Sequence, residues 1–379
     1  MSLIRRFSRD AAVVFVVSLA ARVVAVAVTA TTDLNPYSGG DTEAFARAAA
    51  AGAQSLLAGR VPPFRILDVH EVWGALLAPL WLLPGPNRLY GQIWIAFLGA
   101  AAVRNVYIVG RRLHSPSAGA LAAAPIAAFP SLLFVHSTIL REAFVLYCLT
   151  ALARIHFAPE DWLGRWSRYG VSAVVLVLLF LPRWENAPVY ALVIAVAIVT
   201  SRRVRGANSR LVAGGIGGVG LAVAVAGFRW GRSRLDWLAT IRRRRAHGRT
   251  AYLEGIYPDT VPKAIAFSGI GAAYFLFSPF PWMVSTASDF VVMVEGTITL
   301  GYTVASVRGA RVAAEESFSG VAALVVGLLA GAILYGLANA NVGTVVRQRQ
   351  MMTWVVFLLG AVGVADAVTC RRAGEGDIE

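Results

Sequence analysis

Four short stretches of this chain combine ionisable residues with the turn formers that can aim them. In Ser38-Gly39-Gly40-Asp41-Thr42-Glu43 two adjacent glycines permit a tight turn, and Asp41 stands at the head of an alanine-rich helical stretch, Thr42 to Leu57. A carboxylate there can cap the helix or accept a proton from a bound hydroxyl, and Glu43 is either a second acid or a favourable first-turn charge. Arg141-Glu142 sets a base beside an acid after Pro130 and His136-Ser137-Thr138. The plainer reading is that Arg141 snorkels and Glu142 opens a helix. Pro182-Arg183-Trp184-Glu185-Asn186 repeats the pairing in a polar turn between apolar runs. The stretch from Asn341 to Arg349 carries Arg347 and Arg349 two apart. Arginine grips phosphate through a planar fork of donors, so the pair suits a lipid phosphate or pyrophosphate, and it suits headgroup anchoring equally.

The elements that must position these groups follow from composition. Of 379 residues, 57% are hydrophobic and 15% charged, with mean hydropathy +0.64, which describes a polytopic membrane protein. A secreted enzyme and a large soluble catalytic domain are excluded. The net charge of +14 reads as arginine anchors in inner loops rather than as a nucleic-acid surface, so nucleic acid is not an expected partner. Of the 35 basic residues only Lys263 is lysine, a bias that points to a GC-rich prokaryotic genome. Cys148 and Cys370 lie in or at the end of apolar runs and form neither a disulfide framework nor a zinc site.

The expected architecture is an all-α bundle of about ten (10–12) transmembrane helices in a single domain, 1–379. Arg5, Arg6 and Arg9 before the apolar run Ala11 to Ala30 hold the N-terminus inside. An external segment, 31–84, then carries interfacial helices, the second from Val72 to the Pro84-Gly85-Pro86 break. Leu89 to Val109 crosses inward to Gly110-Arg111-Arg112, and short spans alternate to a basic cluster at Arg202, Arg203 and Arg205. Of Leu211 to Phe228 and Ala264 to Phe277 only one is expected to cross, beside a basic loop at 229–263 whose Arg242 to Arg245 run reads as a solvated or lipid-facing surface. Met283 to Val304, Val321 to Leu337 and Met351 to Val368 complete the set, with both termini cytoplasmic. Pro279-Phe280-Pro281-Trp282 is an interfacial aromatic turn. In this layout Asp33, Asp41, Glu43, Arg141, Glu142, Arg183, Glu185, Asn339, Asn341, Arg347 and Arg349 gather on the outer face. Ionisable groups at a hydrocarbon boundary cost a few kcal/mol unless paired or hydrated, so their convergence marks a pocket.

The order of these motifs resembles the GT-C class of polytopic glycosyltransferases, in its mannosyltransferase-like branch. The resemblance rests on a first span, Gly39-Gly40-Asp41 with Phe45, Ala48 and Leu57, the segment to Pro84-Gly85, the Gly110-Arg111-Arg112-Leu113 turn, and Pro130 with Arg141-Glu142, over about the first 200 residues. Ser278 to Trp282 and Asn341 to Arg349 are similar to a prokaryotic subgroup of GT-C-like membrane proteins. The resemblance implies a polyprenyl-phosphate sugar donor, a glycan, lipid or protein acceptor, and a site at the extracytoplasmic face of the prokaryotic cell membrane. It implies Asp41 as general base, with Glu142 at the second acidic position. Glu43, Arg141, Arg183, Glu185, Asn341, Arg347 and Arg349 are then substrate-binding candidates. No acid adjoins Asp41 directly, Glu43 lying two residues on, which leaves a divalent cation open. No sizeable soluble C-terminal domain follows, which leaves acceptor recognition open. The rival readings are a lipid-linked glycan polymerase or transporter and a non-catalytic membrane scaffold of the same fold.

Overall fold

In hydrocarbon every backbone N–H and C=O must be satisfied, and long continuous apolar runs bounded by glycine, proline and arginine do this as helices, each within its own segment. The structure, a computed structural model, describes residues 2–32, 34, 40–66, 68–82, 87–160, 163–201 and 235–376. These residues are overwhelmingly helical, with an isolated antiparallel bridge between Ala251 and Asn341 and no strand among them. The chain forms two compact units, Met1–Ala187 and Pro188–Glu379.

In the first unit, α1 (Ser2–Thr31) packs on α4 (Arg88–Leu113), with Arg111 bonded to Asp10 at 2.9 Å at one end. Helix α5 (Pro116–Ala128) starts at a Ser115 cap with Pro116 in its first turn and returns along α4, Gly119 against Gly110. Pro130 then opens the short α6 (Pro130–Val135). Helix α7 (Glu142–Phe157) runs parallel to α4, because Gln92 reaches the Ser137 carbonyl at 2.8 Å and Asn105 reaches Thr150 at 3.5 Å. Helix α8 (Arg165–Phe180) comes back beside α7 and ends in the tight turn Leu181–Asn186.

Two further helices cap the end of this unit where α7 begins. Helix α2 (Gly40–Leu57) and α3 (Val69–Leu77) pack on each other, and their Phe45, Trp73 and Leu77 join Ile95, Ile139, Leu140 and Ala143 in one buried cluster. Each such side chain contributes about 1.5–3 kcal/mol of burial, which holds the cap down. The Trp73 indole N–H also donates to the Ile139 carbonyl at 2.8 Å. Asp68 caps α3 by accepting from the His70 and Glu71 amides, and Arg65 closes the preceding turn on Glu71. The Glu71 amide is the main reason Asp68 lies below its ordinary pKa, and the Arg65 hydrogen bond is the main reason Glu71 does.

The second unit holds α9 (Ala187–Val199), a helical segment at 235–245, α10 (Val261–Phe277), α11 (Ala287–Ala338) and α12 (Val342–Gly376). Within the basic stretch at 229–263 residues 235–245 are helical, and Leu211 to Phe228 lies outside the described residues. Straight, the 52 residues of α11 would span about 78 Å at 1.5 Å per residue. They do not run straight. Glu295 pairs with Arg349 while Asn339 bonds Gln348, so two residues far apart on α11 meet neighbours on α12. The chain reverses at Ser317, whose φ −153° and ψ 84° leave the helical region. The first half of α11 then lies parallel to α12, Tyr302 on Phe357 and Arg308 on Asp366, and the second half antiparallel, Gly331 on Met352. Glycines allow the close approach: a Cβ on Gly309 would overlap the Leu359 carbonyl, and one on Gly363 the Ala305 carbonyl.

Among the described residues five helical segments are long and apolar enough to cross a membrane: Arg9–Thr31, Arg88–Leu113, Arg165–Val199, Ala287–Ala338 and Val342–Arg371. Pro116–Ala128 and Val261–Phe277 are apolar but shorter. The expectation of about ten also counts Ala118 to Val135, Ala143 to Ile155 and one of Leu211 to Phe228 and Ala264 to Phe277 as crossings, and takes Arg165–Val199 and Ala287–Ala338 as two each.

Candidate functional site

The α7 end of the first unit brings together four of the expected residues. Arg183 and Glu142 are each 1% exposed and pair at 2.8 Å. Arg183 also reaches Glu185 at 3.2 Å, and Arg141 bonds the same Glu185 oxygen at 3.4 Å and the Pro182 carbonyl. The sequence supplies the geometry locally. Glu142 is the first residue of α7, and Arg183, with φ −141° and ψ 45°, breaks the α8 to α9 run so that its side chain turns back onto α7. Two guanidinium groups and two carboxylates balance in charge, and at this burial each needs its partners. Arg141 is the more open of the two arginines, at 15% against 1%.

Asp41 is exposed in the first turn of α2, one turn before Phe45, which is buried against the segment leading into Glu142. Glu43 is also exposed and makes a 3.8 Å contact with Arg47, a surface pair of little energetic weight. Ser38 and Gly39 lie outside the described residues, as does Asp33.

The remaining three candidates belong to the second unit, and two of them, Asn341 and Arg349, serve its architecture. Asn341 accepts from the Gly343 and Thr344 amides at the start of α12 and donates to the His247 carbonyl at 3.0 Å. With the Tyr252 amide on the Ala340 carbonyl and the Val342 amide on the Thr250 carbonyl, it staples the 247–252 loop to the α11–α12 junction. Arg349 is 4% exposed, held by the Ser278 carbonyl at 2.7 Å and by Glu295 at 3.4 Å. Its donors are committed inside the unit. Arg347 is half-buried in the second turn of α12.

Several charged residues that the sequence reading passed over lie deeper. Arg22 is fully buried in α1, donating to His136 Nδ1 at 3.1 Å, to the Ile126 carbonyl at 2.8 Å and to Ser18. Glu295 is buried within α11 against Arg349. An ionisable residue inside an apolar run is itself the signal for both, because hydrocarbon tolerates it only with partners. Arg242, expected on a solvated face, is fully buried and binds the Ile256, Gly336 and Asn339 carbonyls, with its guanidinium 4.7 Å from the Phe267 ring. Burial holds its pKa below the ordinary arginine value. Among the described residues no three His, Cys, Asp or Glu side chains converge to hold a metal ion.

No family model, curated protein sequence or solved structure matches this chain. The class that fold and composition define is an all-helical protein with, among the described residues, five helices long and apolar enough to cross a membrane.

Proposed function

We propose that this chain is a multi-pass glycosyltransferase of a prokaryotic cell membrane, moving a sugar from a polyprenyl-phosphate carrier to a glycan, lipid or protein acceptor at the extracytoplasmic face. In this reading it has the GT-C-like architecture, about ten crossings and cytoplasmic termini. The alternation of α1, α4, α5, α7 and α8 between two ends of the first unit supports the crossings, as does the reversal of α11.

One observation carries the functional reading. An exposed carboxylate, Asp41, stands in the first turn of a helix docked at the end of the bundle where Arg141, Glu142, Arg183 and Glu185 form a buried ionic network. Transfer needs a base for the acceptor hydroxyl and positive charge for the departing phosphate. Asp41 takes the acceptor proton as the bond from sugar to carrier phosphate breaks. Arg141, the more open guanidinium, faces the charge that develops on the phosphate, and Glu142, Arg183 and Glu185 fix its position. The phosphate role is assigned to Arg141 within the first unit; Arg349 is committed to Glu295 and the Ser278 carbonyl.

The charge balance of the network favours a second reading, a membrane scaffold in which the four residues only tie α7 to the turn at Leu181–Asn186. Deletion of the gene and complementation by Asp41→Asn separate the two. The transferase reading expects the lipid-linked and surface glycans altered by deletion to stay altered with Asp41→Asn. Full restoration by that variant is the scaffold result.

A further inference from the structure

The second unit contains a cavity of about 490 Å³ that none of the expected site residues lines. Its wall carries an aromatic relay. Tyr252 stacks on Tyr274 at 5.1 Å, Tyr274 meets Phe280 edge-on at 4.9 Å, and Phe280 stacks on Trp282 at 4.9 Å and 8°. Trp282 is 73% exposed beside the cavity. The same cavity is lined by an ion pair, Arg249 on Asp289 through two bonds of 2.5 and 3.2 Å, with the Ser285 hydroxyl bonded to both. Asp289 is largely covered, at 11% exposure, whereas Arg249 is open at 53%. The loop bearing Arg249 and Tyr252 is pinned by Asn341 and the Ala251 bridge, and the turn bearing Trp282 is held from below by Arg349 on the Ser278 carbonyl. The walls are preformed.

We propose that this cavity binds a neutral pyranoside ring. A pyranose has an apolar C–H face that lies on an aromatic ring, whose face is electron-rich, and a rim of hydroxyls that both donate and accept. Arg249, Asp289 and Ser285 present both kinds of partner on a wall shared with the aromatic side chains, the mixed lining a sugar ring requires. The pair is charge-neutral and the guanidinium already engaged, which disfavours a phosphate. A lipid tail would leave the polar wall without partners. Occupancy requires no turnover, so the site stands whether the chain is a transferase or a scaffold.

The test uses the full chain in nanodiscs prepared without sugar-based detergent, titrated by calorimetry with methyl α-mannopyranoside, methyl β-glucopyranoside and inorganic phosphate. We expect saturable binding of at least one pyranoside, weakened about tenfold or more by Trp282→Leu and by Arg249→Gln, a change matching the loss of one ring contact or charged hydrogen bond. Both side chains are exposed, and unchanged melting of the variants separates lost binding from lost folding. Absence of saturable pyranoside binding overturns the proposal, and so does pyranoside binding that neither variant alters. Phosphate binding abolished by Arg249→Gln and kept by Trp282→Leu would make the cavity an anion site instead.

Discussion

Removing Arg183 strips two carboxylates, Glu142 at 2.8 Å and Glu185 at 3.2 Å, of a guanidinium that is 1% exposed. At an effective dielectric of about 20, the 2.8 Å contact has a gross attraction of about 6 kcal/mol. Desolvating both ions offsets most of it, so the pair's net contribution is small, while deleting one member costs about 3–5 kcal/mol. Arg183→Met should therefore lower the melting temperature by roughly 6–20 °C for a unit of this size. Glu142→Gln leaves Arg183 with Glu185, whose oxygen also receives Arg141, and should cost about 1–3 kcal/mol. The double variant Glu142→Leu with Arg183→Met removes both charges and should recover to within about 2 kcal/mol of the parent. Thermal unfolding followed through tryptophan emission, with size-exclusion survival after heating, reads all three. If Arg183→Met melts with the parent, or the double variant loses the sum of the two singles, the buried network does not exist as described.

Further outcomes follow from the same structure. Gly309→Ala should break the α11–α12 contact and cost several kcal/mol by overpacking, whereas Gly301→Ala, with nothing within 4 Å, should leave thermal stability unchanged or slightly raised. Arg308 bonds Asp366 at 2.6 Å but is 48% exposed, so Arg308→Ala should leave thermal unfolding close to that of the parent, and a large loss would contradict its place on the open side of these helices. Asp68 and Glu71 have folded pKa values below their unfolded ones, so their stabilisation of the turn before α3 is full above about pH 4.5 and lost as pH falls through the folded values. Amide exchange in α3 should accelerate over that acid range, and Asp68→Ala should cost about 1 kcal/mol at neutral pH.

Much of this molecule is legible in its sequence, and the parts that are not have a common cause. Helix α4 stands where Leu89 to Val109 reads as a crossing, and α2 and α3 stand where the external segment reads as two short helices. Arg141 with Glu142, and Arg183 with Glu185, were visible as two base-acid couples, but their union needs α8 to fold back on α7, which local pattern does not encode. Residue type suggested a phosphate fork at Arg349, and the partner that commits it, Glu295, lies 54 positions away on a helix whose reversal at Ser317 leaves only one residue out of helical geometry. Arg242 misled for the same reason, since a run of four arginines reads as solvated until the carbonyls of a distant helix end close over one of them. The aromatic cavity was visible only as an interfacial turn at Pro279 to Trp282, because Arg249 and Asp289 join it from other segments.

The transferase account turns on Asp41, and the measurement that bears on it most directly is sugar transfer by the purified chain in proteoliposomes, with a panel of labelled polyprenyl-phosphate sugars and an extract of envelope acceptors. The account predicts transfer by the parent from at least one donor and a loss of about 10²–10⁴ in rate for Asp41→Asn, the range a general base supplies, with folding unchanged because the side chain is exposed. Transfer that proceeds at the parent rate in Asp41→Asn would contradict the assignment of the base, and no transfer from any donor would contradict the account itself.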